Sequence, residues 1–461
     1  VTLAGNAPAR LKRYALISPA AQQIFLHAEK ISAPVATEQN GLRTLVWEIH
    51  DVAALPREPR SPGITETSPY VHVSTMADWQ ELGSWYAELI RPQFALDQSL
   101  RKELDQLIQD KHSEQEKITA IQKFVLRSTH YVALEFGIYS YKPYPVTQTY
   151  ARRFGDCKDK ASLMIALLRA AGIDAEFALV RTRSRGDVAL TPASIALFDH
   201  AIVYVPGYSL WLDGTAEYAG SELPLEDQGA LALTVDLNGK AELRHVPMST
   251  AADNYTKRTI RAELTRQGVV RFNGSTVTRG EDAPVLRREL AVREQQLDLF
   301  RQGLAEVFPT VEVESVAVHG AEHFGSDVSV DFEGALNALQ RSSVVTLRSS
   351  WMRRAYVSTL APASYRAQDL LLPSPWITEE EIHVTLPSGA TVQVLPRDEE
   401  IRTPFGSVRL QYTKSAHEIV IHSRLEFEKT RIKIEEYSAF RQFCSAVERS
   451  FHNEIVVGLA R

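Results

Sequence analysis

Three residues have the types and spacing to do chemistry in this sequence: Cys157, His200 and Asp213. Around the first of them, in Arg153-Phe154-Gly155-Asp156-Cys157-Lys158-Asp159-Lys160-Ala161-Ser162-Leu163-Met164, apolar positions recur at Ala161, Met164, Ile165, Leu168 and Ala171. Three- and four-residue spacing predicts a helix with one apolar face, ended by Gly172. Asp156 suits the N-cap, so Cys157 opens the helix. A thiol in that position meets unpaired backbone N–H groups and the positive end of the helix dipole, and both favour the thiolate. The expected chemistry is nucleophilic.

A nucleophilic thiol needs a base, and the base needs a group to hold it. His200-Ala201-Ile202-Val203-Tyr204-Val205 and Tyr208-Ser209-Leu210-Trp211-Leu212-Asp213 read as two strands about a Pro206-Gly207 turn. A hairpin symmetric about that turn pairs Val205 with Tyr208 and sets His200 opposite Asp213, where Cβ atoms lie about 4.5 to 5.5 Å apart. This meeting survives a four-residue loop but not one of three or five.

The order of Cys at a helix start, His at a strand start and Asp on the next strand resembles the transglutaminase-like branch of the papain-type thiol enzymes. More narrowly, Leu134-Glu135-Phe136-Gly137, then Gly155-Asp156-Cys157-Lys158-Asp159-Lys160-Ala161, then Ala170-Ala171-Gly172-Ile173 is similar to bacterial multidomain proteins with that core between β-rich domains of unassigned function. The motifs cover roughly residues 75 to 235. The resemblance implies an α+β fold: a papain/transglutaminase-like core of a helical subdomain and an antiparallel sheet, between an N-terminal β-rich segment and a C-terminal β-sandwich-like domain. It assigns Cys157 as nucleophile, His200 as general base and Asp213 as its orienting partner. It also implies export, hence a periplasmic or secreted location. Transition-state charge on an attacked carbonyl needs donors. Beside the N–H of Cys157, the resemblance points to a Gln or an aromatic residue from the preceding segment, for which Tyr139, Tyr141 and Gln148 compete.

The chain has 461 residues, 44% of them hydrophobic, enough for several cores and two or three domains. A net charge of -6 gives no footprint for nucleic acid, and none is expected as a partner. No apolar run approaches the ~18 residues of a membrane span. The Val1-Thr2-Leu3-Ala4-Gly5 start has neither an initiator Met nor a signal-peptide apolar region, so a processed or trimmed product is expected. Two cysteines are too few for a disulfide framework, and Cys444, on a helical face with Phe440, Phe443 and Val447, reads as a small buried apolar residue.

Three parts are expected: an N-terminal β-rich domain over 1–74, partial by the resemblance; a catalytic core over 75–240; and a C-terminal β-rich domain with a long helix over 241–461. Trp79, Leu82, Tyr86 and Leu89 stripe a first core helix, a second follows near Leu100 to Asp110, and Ser113 with Glu116 forms a capping box for a third. A long loop from about Thr182 to Phe198 leads into His200. Leu286, Leu290, Val292, Leu297, Phe300 and Leu304 describe a single helical stretch between Glu281 and Val307.

These readings converge on acyl transfer. The Cys157 thiolate attacks an amide carbonyl of a protein or peptide substrate, His200 protonates the leaving amine, and an acyl-thioester passes to water or to an amine. The first outcome is a peptidase or amidase, the second a transglutaminase. The alternative is a non-catalytic binding or assembly protein on the same scaffold. No cofactor is expected, and no metal, because no second cysteine and no His pair stands at ligand spacing; His112, His130, His319 and His323 lie in unrelated contexts.

Overall fold

The computed structural model describes residues 1–220, 222–322, 325, 327–341 and 343–460, so His323 lies outside the described residues. The chain divides into two compact units, Val1–Met248 and Ser249–Arg461. The architecture is mixed α+β, with a β-rich N-terminal region and a C-terminal unit that mixes sheets and helices.

In the first unit, strand Leu42–Val52 pairs with Ala9–Pro19 on one side and Val35–Gln39 on the other, and Phe25–Glu29 pairs with Tyr70–Ser74. Leu3, Trp47 and Val71 form a small core there, with Tyr14 stacked on Trp47 at 5.6 Å. Helices Trp79–Ile90, Gln98–Ile108 and Glu114–Ser128 follow, the last opened by the Ser113/Glu116 capping box.

The helix that matters for the site, Cys157–Ala170, is buried along all but its last turn. It lies in one apolar core with the other helices and with a five-stranded antiparallel sheet ordered Leu210–Leu212, His200–Val205, Glu176–Arg181, Leu231–Val235, Ala241–His245. The run Ala201 to Val205 is buried throughout, as expected of an inner strand covered on both faces. Gly172 takes φ +84° just beyond the helix, a conformation open to glycine without a side-chain clash.

The second unit has an eight-stranded sheet in which Tyr255–Leu264 and Trp376–Thr385 run parallel and the other neighbours antiparallel. The single helical stretch expected between Glu281 and Val307 is two helices, Asp282–Glu289 and Gln296–Ala305. Val292, β-branched, takes an extended conformation (φ -95°, ψ 104°) and breaks the run. Helix Tyr437–Phe451 buries Phe440, Phe443, Cys444 and Val447 together.

Candidate functional site

Asp156 caps the Cys157 helix by accepting from the Asp159 N–H, while the Asp159 carboxylate reaches back to the Asp156 N–H, each at 3.3 Å. Asp159 also accepts from Arg152 Nη2 and the Tyr144 N–H, both at 2.8 Å. The Arg152 guanidinium lies over the rings of Tyr144 and Phe154. Lys158 pairs with Asp156 in the interior. Gly155 leaves the room this needs: a Cβ there would sit 2.6 Å from Cβ of Asp159. The helix start is therefore a closed network of charge-assisted bonds.

His200 opens its strand opposite Val180. The hairpin register is Val205↔Leu210, Trp211↔Tyr204 and Leu212↔Val203, with 206–209 as the loop, so Asp213 continues toward Ile202 rather than standing opposite His200. A four-residue loop shifts the register by two and keeps the same face. Nε2 of His200 accordingly lies 3.4 Å from Oδ2 of Asp213. Asp213 is fixed by the N–H of Thr215 at 2.7 Å and by its hydroxyl at 2.8 and 2.9 Å.

The third member comes from a different place. Asp227 ends a turn in which its N–H bonds to the Pro224 carbonyl, and the chain then enters strand Leu231–Val235. Ala232 on that strand and His200 pair with Val180 from its two sides, which brings Asp227 to the same end of the sheet as His200. Its Oδ2 lies 3.8 Å from His200 Nε2, within ion-pair range but too far for a hydrogen bond, and it has no hydrogen-bond partner among the described residues. One ligand atom from each of His200, Asp213 and Asp227 lies within 4.8 Å of the others.

Charges in this group are strongly coupled to burial. Burial opposes the imidazolium, but hydrogen bonds with Asp213 and Cys157 and the charges of Asp213 and Asp227 outweigh it, and His200 is raised to about 11. Burial likewise opposes the Asp213 carboxylate, yet its bonds with His200 and Thr215 keep it below the usual range. Asp227, raised by burial and by the charge of Asp213, reaches about 7. The neighbouring Tyr131 phenol is pushed to about 12 by burial and then by Cys157, Asp156, Glu135 and Asp213.

Residues 102–214, which include this helix and hairpin, match the transglutaminase-like superfamily. The chain carries a transglutaminase-like superfamily domain. Residues 343–457 match a domain of unknown function with a solved structure, DUF3858. Among solved structures, the chain is similar to a "putative protease" from Parabacteroides distasonis, at 17% identity and a TM-score of 0.66, over 99% of this chain and 74% of that one. A "putative cysteine protease" from Cytophaga hutchinsonii also matches at 17% identity, over 53% of this chain and 78% of that one, with a TM-score of 0.24. No curated protein matches the chain.

Within the transglutaminase-like domain, the expected thiol enzyme is corrected. The group that closes on itself is His200, Asp213 and Asp227, and neither cysteine is a member of it. Two carboxylates face the same ring nitrogen where the sequence reading had one carboxylate and a thiol acting as a triad. The cluster therefore contradicts a Cys-His-Asp triad, and with it the peptidase, amidase or acyltransferase activity and the cysteine-protease character expected from the sequence. Cys157 is buried at the helix start and meets the His200 ring from outside the cluster. Cys444 is buried in the second unit.

The oxyanion candidates lie apart in kind. Tyr139 stacks on Tyr144 at 4.1 Å, the Tyr141 carbonyl accepts from the Tyr86 hydroxyl at 3.1 Å, and Gln148 is exposed on the first turn of helix Val146–Arg152. Asp227 had no signal in the sequence: it sits in a turn outside any periodic segment, and only the pairing of strand Leu231–Val235 carries it to His200. The loop into His200 is held through Arg181, whose guanidinium bonds to the carbonyls of Gly186 at 2.7 Å and Leu197 at 2.8 Å and to the Thr65 hydroxyl at 2.9 Å.

Proposed function

We propose that this protein is a non-catalytic binding protein that uses a transglutaminase-like scaffold to hold an extended segment of another polypeptide. The observation that carries the reading is the ledge between helices Glu114–Ser128 and Val146–Arg152. Tyr131, Val132, Phe136, Ile138 and Tyr141 are all exposed there, Phe136 at 77%. Five large apolar side chains left open to solvent within eleven residues of chain are the kind of surface an interaction site uses.

Two further features favour a polypeptide in extended form. The ledge begins as a strand, His130–Tyr131, paired among the described residues with Phe154–Gly155 in a two-stranded sheet that leaves its other side open. An edge of this kind takes up a strand through main-chain hydrogen bonds while apolar side chains find the exposed rings. Tyr131 also lies within electrostatic reach of Asp156 and Asp213, so the ledge adjoins the His200 cluster. The structural relative described as a protease would also handle polypeptide, which accords with this partner class.

On this reading the helices and antiparallel sheet of the first unit form a papain/transglutaminase-like core, the chain is organised as 1–74, 75–240 and 241–461, and the protein acts in the periplasm or outside the cell. The test is fluorescence anisotropy with labelled unstructured peptides that differ in aliphatic and aromatic content. Saturable binding that grows with apolar content and weakens in a Phe136→Ser, Ile138→Ser double variant is expected. Binding unchanged by the double variant would refute the ledge.

A further inference from the structure

We infer that the second unit binds one free aromatic α-amino acid, its two charged groups held by Arg348 and Glu454 and its side chain in an apolar cavity. The inference concerns that unit alone and uses none of the ledge residues of the first. The cavity has a volume of about 430 Å³. Val270 and Leu336 line it from the eight-stranded sheet, and Leu347 and Arg348 from strand Val344–Arg348. Phe308 and Trp351 also line it, their rings 4.7 Å apart. A mostly apolar space of this size with a few charged groups at hand is what small-molecule sites share, and rings in the wall suit an aromatic guest.

The charges decide the class of ligand. Arg348 ends its strand directly opposite Glu454, which opens strand Glu454–Gly458, and both residues are exposed and line the cavity. The Ser349 hydroxyl donates to the Asn453 carbonyl at 2.6 Å and ties the two strand ends together beside them. Cross-strand Cβ atoms lie about 4.5 to 5.5 Å apart. Even so, the two charges do not close on each other, and neither has a hydrogen-bond or ion-pair partner among the described residues. The Arg348 guanidinium instead lies 5.8 Å from the centre of the Phe308 ring in the cavity wall. The arginines of an adjoining depression, which shares Arg348 and Glu454, are already matched: Arg353 with Glu306 and Arg354 with Glu380, each at 2.8 Å. A lone unpaired surface charge is ordinary. An unpaired cation and an unpaired carboxylate side by side over an apolar cavity call for a carboxylate and an ammonium on one carbon that also bears an apolar group. Arg348 donates to that carboxylate and Glu454 accepts from that ammonium. An apolar carboxylic acid would set its head beside Glu454, and an apolar amine would set its head beside Arg348, each meeting a like charge.

The test is titration calorimetry of the full chain with L-phenylalanine as the probe. One site per chain with a Kd below about 1 mM is expected. On the wild-type chain, 3-phenylpropionate, which lacks the ammonium, and phenethylamine, which lacks the carboxylate, should each bind at least about tenfold more weakly. Arg348→Gln and Glu454→Gln should each weaken L-phenylalanine by a similar factor. No saturable binding at about 1 mM would overturn the inference. So would 3-phenylpropionate or phenethylamine binding as tightly as L-phenylalanine, or equal affinity in the wild type and both variants. Should a variant fail to fold, the analogue series on the wild-type chain decides by itself.

Discussion

Oδ2 of Asp227 faces Nε2 of His200 at 3.8 Å with no hydrogen-bond partner among the described residues, while Oδ2 of Asp213 approaches the same nitrogen at 3.4 Å. One imidazole nitrogen thus stands between two buried carboxylates. This arrangement gathers three titratable groups at the end of the sheet, and it has consequences for stability.

The first consequence is a pH dependence. Asp227, raised to about 7 from an ordinary carboxyl value near 3.9, holds its proton more tightly when folded. Stability therefore falls as pH rises from about 4 to about 7. His200, raised to about 11, contributes stability that is complete below about 6.5 and lost as pH rises through its folded value. Urea unfolding at pH 5 and pH 8 should show a smaller loss in Asp227→Asn than in wild type. Equal losses would show that Asp227 does not carry the shift.

Gly155 is required by the cap of the Cys157 helix. A methyl there would meet Asp159 Cβ at 2.6 Å and Oδ2 at 2.9 Å, and Asp159 is held by Arg152 and the Tyr144 N–H. Gly155→Ala should cost about 1 to 3 kcal/mol by overpacking, read as a lowered urea midpoint. An unchanged midpoint would mean that the network gives way freely.

Much of this local structure is legible in the sequence. Asp156 and Ser113 announce their helices because capping is short-range chemistry, and the spacing of Ala161, Met164, Ile165 and Leu168 reflects a helix that buries that face. The meeting of His200 and Asp213 is legible because strand alternation keeps both on one face, although the loop is two residues longer than a symmetric Pro206-Gly207 turn. Asp227 is not legible, since its place depends on which strand lies beside Glu176–Arg181. Without Asp227 the strongest pattern in the sequence is a thiol with His and Asp, whereas the cluster in the structure is one imidazole with two carboxylates. The break at Val292 was hidden by an apolar spacing that continues across it.

In the second unit Glu380 is wholly buried and accepts from Arg354 Nη2 at 2.8 Å, the Trp351 N–H at 2.9 Å and the Ser350 hydroxyl. Glu380→Ala would leave the Arg354 guanidinium buried without its partner charge, at a cost of about 3 to 5 kcal/mol. Denaturant unfolding should show that loss. A cost below about 1 kcal/mol would place the pair among those that add nothing measurable.

Cys444 is fully buried, and burial pushes its thiol up to about 12. Iodoacetamide should leave it unmodified in the folded chain at pH 8 and label it on unfolding, as followed by peptide mass spectrometry. Rapid labelling in the native state would mean that helix Tyr437–Phe451 opens readily.

The ledge should tolerate change without loss of fold. Phe136 is mostly exposed, so Phe136→Ser is expected to alter stability by no more than about 0.5 kcal/mol while weakening peptide binding about tenfold. A large fall in stability would show that Phe136 serves the fold and not a partner.

The most direct test is to incubate the protein with an unstructured polypeptide such as casein and to follow both binding and the integrity of the polypeptide. A binding protein retains casein saturably and releases it at full length, with no amide bond cut and no amine joined. Cleaved or crosslinked casein that disappears in Cys157→Ala would contradict the account and return the thiol to the centre of the mechanism.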